Sequence, residues 1–227
     1  MNTTTPPPLP DAKPEPQPGR LSALTLLKQP AATVGAAVAR GEETALTVRF
    51  TVSAVLCLAV FGLVLGTYAG GAQLWAVPLK VAGGGLFAAL LCLPSLIIFG
   101  VMGGMDLGLR RALLLLSGML ALTGLMLVGF APVVWLFSVS TASDNFMGFL
   151  AVVIALIAFI IGSRAQWKMA AQLGLRQVGG LCLWTVMFIF VILQLTCTLR
   201  PLIGQYDRFL HVNEKRFFIT HWVDRGK

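Results

Sequence analysis

The side chains able to do chemistry in this chain are few and scattered. His211 stands three residues before Glu214 and His221 three before Asp224, pairs that invite a metal ion. Metal centres are usually built from three or four convergent ligands, and nothing in the sequence makes these pairs converge. No metal or other cofactor is expected. Cys57, Cys92, Cys182 and Cys197 are widely spaced and read as small packing residues, not as disulfides or ligands. Gly83-Gly84-Gly85 has the look of a phosphate loop but lacks the Gly-Lys-Ser/Thr that would follow. No nucleophile–base pair or carboxylate–His set sits at one depth, so no enzymatic activity is expected.

The elements that carry these residues are set by composition. The chain has 227 residues, 57% hydrophobic and 11% charged, where soluble domains average roughly 45–50% apolar and about 25% charged. Its apolar residues come in long runs. A helix rises about 1.5 Å per residue, so roughly 20 apolar residues cross a hydrocarbon core of about 30 Å. Residues 50–69, 81–102, 112–138, 146–162 and 178–199 meet that test, and none of these runs contains Asp, Glu, Lys, Arg or His. The runs lack the alternation of barrel strands. The fold class is therefore all-α, a polytopic membrane bundle of five transmembrane helices in residues 47–204.

Ahead of the bundle, residues 1–20 carry Pro6, Pro7, Pro8, Pro10, Pro14, Pro16 and Pro18 and form a disordered, proline-rich tail. Residues 21–46 form an amphipathic segment and connector. Leu24, Leu27, Ala31, Val34 and Val38 recur at helical spacing, Pro30 suits a first turn, and Gly41 sits where a helix would stop. A short interfacial helix is expected there. Residues 205–227 make a C-terminal tail rich in aromatic and basic groups, including Tyr206, Phe209, Phe217, Phe218 and Trp222. Arg200, Pro201 and Trp222 are expected to anchor the chain at the interface. A partner-binding surface is the alternative use of that tail.

Orientation follows from the loops between spans. Arg110, Arg111, Arg164, Lys168 and Arg176 fall on one side and Lys80 alone on the other. The positive-inside bias places the N-terminus in the cytoplasm and the C-terminus outside, although the basic C-terminal tail dissents. The net charge of +8 lies mostly beside membrane boundaries and meets anionic headgroups, so no nucleic-acid partner is expected.

Ionisable residues deep in a membrane mark ion pathways, and this chain shows none at mid-depth; Asp106, Asp144 and Lys80 are expected at solvated edges. Gln194 is the most polar deep residue, and an interhelical hydrogen bond is its expected role. Pro94 and Pro132 interrupt two spans, as packed kinks or, with Gln194, as the wall of a cavity. Gly62, Gly66 and Gly70 recur every four residues, and Gly100 and Gly104 repeat that spacing. Such stripes permit close helix packing, within one subunit or in self-association.

The five-span layout with a cytoplasmic N-terminus resembles the Ypt-interacting-protein (YIP) superfamily. Leu26-Leu27-Lys28-Gln29-Pro30 is similar to the start of bacterial YIP-like domains. A closer similarity is to uncharacterised bacterial five-span proteins. It is carried by Pro78-Leu79-Lys80, Leu91-Cys92-Leu93-Pro94-Ser95-Leu96, Ala131-Pro132 with Ser138-Val139-Ser140-Thr141, and Leu199-Arg200-Pro201-Leu202-Ile203-Gly204. The likeness covers roughly residues 21–204. It implies a multi-pass protein of the bacterial cytoplasmic (inner) membrane. Eukaryotic relatives are associated with small GTPases and membrane traffic, but no residue set carries that role onto this chain. Two functions are expected to compete: a non-enzymatic protein that organises or recruits membrane partners, and a transporter or channel for an uncharged or lipid-like small molecule.

Overall fold

The computed structural model describes residues 29–69, 71, 73–141 and 144–198. They form α1 (Pro30–Arg40), α2 (Glu43–Ala69), α3 (Gln73–Met102), α4 (Leu109–Ser140), α5 (Asp144–Gln172) and α6 (Gly179–Thr198). All five helices from α2 to α6 are long and apolar enough to cross a membrane. The chain is thus an all-helical, multi-pass membrane protein with a short helix ahead of its first span. Both proposed tails, together with Gly70, Arg200, Pro201 and Trp222, lie outside the described residues.

The α1 helix starts and stops where its sequence dictates. Pro30 occupies the first turn, where its missing N–H costs nothing. At the other end Gly41 adopts φ 71°, a left-handed conformation in which a side chain would be strained. The Gly41 N–H donates to the Val38 carbonyl at 3.2 Å and the Glu42 N–H to the Ala37 carbonyl at 2.9 Å, closing the last turn. α2 begins directly afterwards. The two helices are therefore joined by a sharp corner, and Val34 and Ala37 are buried. α1 packs chiefly against α5 and only lightly against α2.

Short connections make successive spans antiparallel. The N-terminus of α2, the 103–108 loop and the 173–178 loop share one end, with Arg49, Arg110, Arg111 and Arg176; this is the arginine-rich end. α4 stands at the centre: 67% of its most apolar window is buried, against 33% for α2, α3 and α5 and 22% for α6. α2 and α5 pack on α4, α3 packs on α2, and α6 attaches mainly to α3. Leu56, Leu90, Val139 and Phe190 are exposed, an arrangement costly in water but suited to lipid.

Helices α2 to α5 outrun the apolar stretches that announce them. α2 begins at Glu43 and α5 continues to Gln172, so charged Arg49, Arg164 and Lys168 sit on exposed helix faces where long side chains reach the headgroups. α3 begins at Gln73, which takes Lys80 into the helix. Lys80 is only 4% exposed; the expectation of a solvated edge is corrected here. Its phase along α3 turns it into the bundle, whereas sequence position alone put it in a loop.

Candidate functional site

The glycines expected to pack do so in different ways. Gly62 is buried, and a Cβ there would lie 2.7 Å from Pro78 Cα, 3.1 Å from Pro78 N and 3.2 Å from the Val77 carbonyl. Only a missing side chain lets α2 approach α3 this closely. Gly66, one turn on, is also buried. Gly100 faces the loop that follows its own helix, with Leu107 Cδ2 2.5 Å and Met105 Cε 2.9 Å from its Cβ position. Gly104 lies beyond the end of α3 with φ +88° and a Cβ position 3.6 Å from Arg176. Here the four-residue spacing continues in sequence while the backbone has left the helix.

Other glycines make equally close seams without any repeat to announce them. A Cβ at Gly124 of α4 would stand 3.0 Å from Cys57 Cβ. A Cβ at Gly162 of α5 would collide with Thr123 Oγ1 and stand 3.0 Å from the Met119 carbonyl. A Cβ at Gly180 of α6 would stand 2.9 Å from the Phe99 carbonyl of α3. Gly83-Gly84-Gly85 is helical within α3 and forms no loop; nothing lies within 4 Å of the Gly83 Cβ position.

Pro94, Pro132 and Gln194 lie on three different helices, α3, α4 and α6, and each is exposed. At Pro94 the missing N–H interrupts the α3 hydrogen-bond ladder. Nearby, the Cys92 carbonyl accepts from Ser95 Oγ at 2.8 Å and from Trp184 Nε1 at 3.0 Å. Trp184 is fully buried, so this bond pins α6 to α3. Its ring lies 5.2 Å from Phe188, which stacks on Phe159 of α5 at 5.3 Å. Of the cysteines, Cys92 is buried, Cys57 half-buried and Cys182 exposed, all as free thiols; for Cys182 the packing role is corrected, because its face of α6 looks outward.

Polar groups gather at the arginine-rich end instead. The N–H groups of Arg176 and Gln177 donate to the Gly103 carbonyl at 3.0 and 3.1 Å, which ties the two loops together. Gly103 allows this because its Cβ position lies 3.0 Å from the Gln177 carbonyl. Arg111 donates from Nε to Glu43 Oε1 at 3.3 Å and from Nη1 to Asp106 Oδ2 at 2.8 Å. Exposed pairs add little stability each, but this one links α2, the 103–108 loop and α4. Beside it lies an open groove of about 360 Å³ bordered by Glu43, Asp106, Gly108, Leu109, Arg110 and Arg111. Among the described residues no three His, Cys, Asp or Glu side chains gather as a metal site.

Sequence reasoning missed Gln166. It is fully buried, and neither its Oε1 nor its Nε2 has a hydrogen-bond partner. Trp167 Nε1 and Thr123 Oγ1 are also buried without partners. Thr123 can turn towards the carbonyl of its own preceding turn; the amide of Gln166 has no such local remedy, and an unpaired buried polar group costs about 1–3 kcal/mol. A signal existed. Arg164 and Lys168 are four apart and mark the outer face of α5, so a 3.6-residue period puts Gln166 on the inner face.

No family model, curated protein or solved structure matches this chain.

Proposed function

We propose that this multi-pass protein is a non-enzymatic organiser or recruiter of partners in the bacterial cytoplasmic membrane, as the YIP-like layout suggests. One observation carries the reading. Two loops and two helix starts are cross-tied at the arginine-rich end through Gly103 and Arg111, while Arg40, Arg49, Arg110, Arg164, Lys168 and Arg176 remain exposed. A fixed frame carrying outward-facing cations suits both anionic lipid headgroups and an acidic partner surface. The competing transporter reading draws on Pro94, Pro132 and Gln194 as a cavity wall; each is exposed, and none of them lines the groove at the arginine-rich end.

In this reading the arginine-rich end is cytoplasmic and the C-terminus extracytoplasmic. Ser140 and Gln177 are exposed at opposite ends of the bundle. In a cysteine-free background, Gln177→Cys should react with an impermeant thiol reagent only from the cytoplasmic side and Ser140→Cys only from outside. The reverse pattern inverts the orientation, and same-side labelling contradicts the antiparallel spans between them.

Recruitment itself is tested by deletion. Removing residues 1–20, or truncating after Gly204, should change the set of proteins crosslinked in native membranes while the five-helix core stays folded. Reconstituted protein should show no uptake driven by a proton or sodium gradient. Gradient-driven uptake abolished by Gln194→Leu, with an unchanged crosslinking pattern in both deletions, would establish the transporter instead.

A further inference from the structure

We infer that the outward side of α5 holds an anionic phospholipid, with Arg164 and Lys168 on its phosphate. The two cations are four residues apart and both exposed, so they share one face of the helix. Ile157 and Ile161, 42% and 39% exposed, continue that face towards the other end of the span at helical spacing. Along one stripe apolar surface gives way to a pair of cations. A phospholipid presents its acyl chains and its headgroup in that same order. On α2 a single cation, Arg49, stands ahead of exposed Val52 and Leu56; α5 offers two.

The level of the pair calls for an anion. The apolar run 146–162 rises about 25 Å, less than a hydrocarbon core of about 30 Å, so Arg164 starts at the edge of the hydrocarbon. Residues 145–172 contain no Asp or Glu, and neither cation forms an ion pair among the described residues. A guanidinium takes two phosphate oxygens in a fork, and an ammonium adds a compact point charge. Residues four apart on a helix have their Cβ atoms about 6 Å apart, which lets both heads reach one phosphate.

Position favours lipid over an acidic protein. Arg164 lies about 12 Å before the end of α5 at Gln172, on the side wall of the span and not at its tip. Arg110 opens α4 and Arg176 lies in the 173–178 loop, so a soluble partner approaching end-on meets those two first. The site rests on the reading of this end as a frame of outward cations, and it gives two of them an occupant.

Native mass spectrometry of the full chain in neutral detergent tests it, with equal amounts of phosphatidylglycerol and phosphatidylcholine bearing the same acyl chains. The native chain should retain the anionic lipid several-fold over the zwitterionic one. Arg164→Gln with Lys168→Gln should abolish most of that preference, and glutamine suits an exposed helix position. Arg164→Lys with Lys168→Arg keeps both charges and should keep the preference. Arg110→Gln with Arg176→Gln removes equal charge from the same end and should lower it less. No preference in the native chain, or equal losses in the two glutamine pairs, would overturn the site. So would an unchanged lipid preference in Arg164→Gln with Lys168→Gln alongside an altered set of proteins crosslinked in native membranes, which would give the pair to an acidic protein. The tail deletions read recruitment separately, so either reading can fail alone.

Discussion

Gly62→Leu is expected to abolish the folded bundle, while its neighbour Leu63→Ile leaves expression and thermal stability in detergent nearly unchanged. The contrast rests on what each side chain would meet. Even one methyl at residue 62 would stand 2.7 Å from Pro78 Cα, inside the distance at which two carbons can coexist. The obstacle is α3 backbone, including Pro78 N and the Val77 carbonyl, so no rotamer change relieves it. α2 would have to separate from α3, and overpacking at rigid sites costs about 1–3 kcal/mol or more. In lipid this loss falls on the very interaction that associates helices, because close van der Waals contact replaces the hydrophobic drive available in water. Leu63 is 41% exposed and faces outward, and Ile keeps its volume. Size-exclusion profiles and melting midpoints of the two variants measure the difference. Matching profiles would show that residue 62 faces lipid.

The spans were legible because a hydrocarbon core demands a long uncharged run: four of the five runs fall within α2 to α5, and the fifth, 178–199, overlaps α6 (Gly179–Thr198). Their ends were less so. Composition marks where hydrocarbon stops, and the α5 helix continues through Arg164 and Lys168 because those side chains can extend into the headgroups. Lys80 shows the converse: a single lysine between apolar runs reads as a loop, yet helical phase buries it. Gly41 and Pro30 worked as stop and start signals because both act through their own backbone. Interhelical features did not, since they depend on which helix arrives opposite. Gly104 continued a stripe on paper and left the helix in space, while Gly124, Gly162 and Gly180 form real seams with no stripe at all.

A double substitution at the α4–α5 seam tests this view of unannounced glycines. Gly162→Ala should destabilise the bundle strongly, because the new Cβ would collide with Thr123 Oγ1 and stand 3.0 Å from the Met119 carbonyl. Thr123→Ala alone removes a hydroxyl that has no hydrogen-bond partner. It should cost little beyond the lost methyl, on the order of 1 kcal/mol. Combined, the two should be less harmful than their separate effects added together, since residues in contact are not independent. The rescue is expected to be partial: the Met119 carbonyl is backbone and cannot withdraw. Melting midpoints in one detergent across the four proteins of the cycle give the coupling directly. Strict additivity would mean that α5 meets α4 elsewhere than at Thr123, and full rescue would mean that the Met119 contact is looser than 3.0 Å.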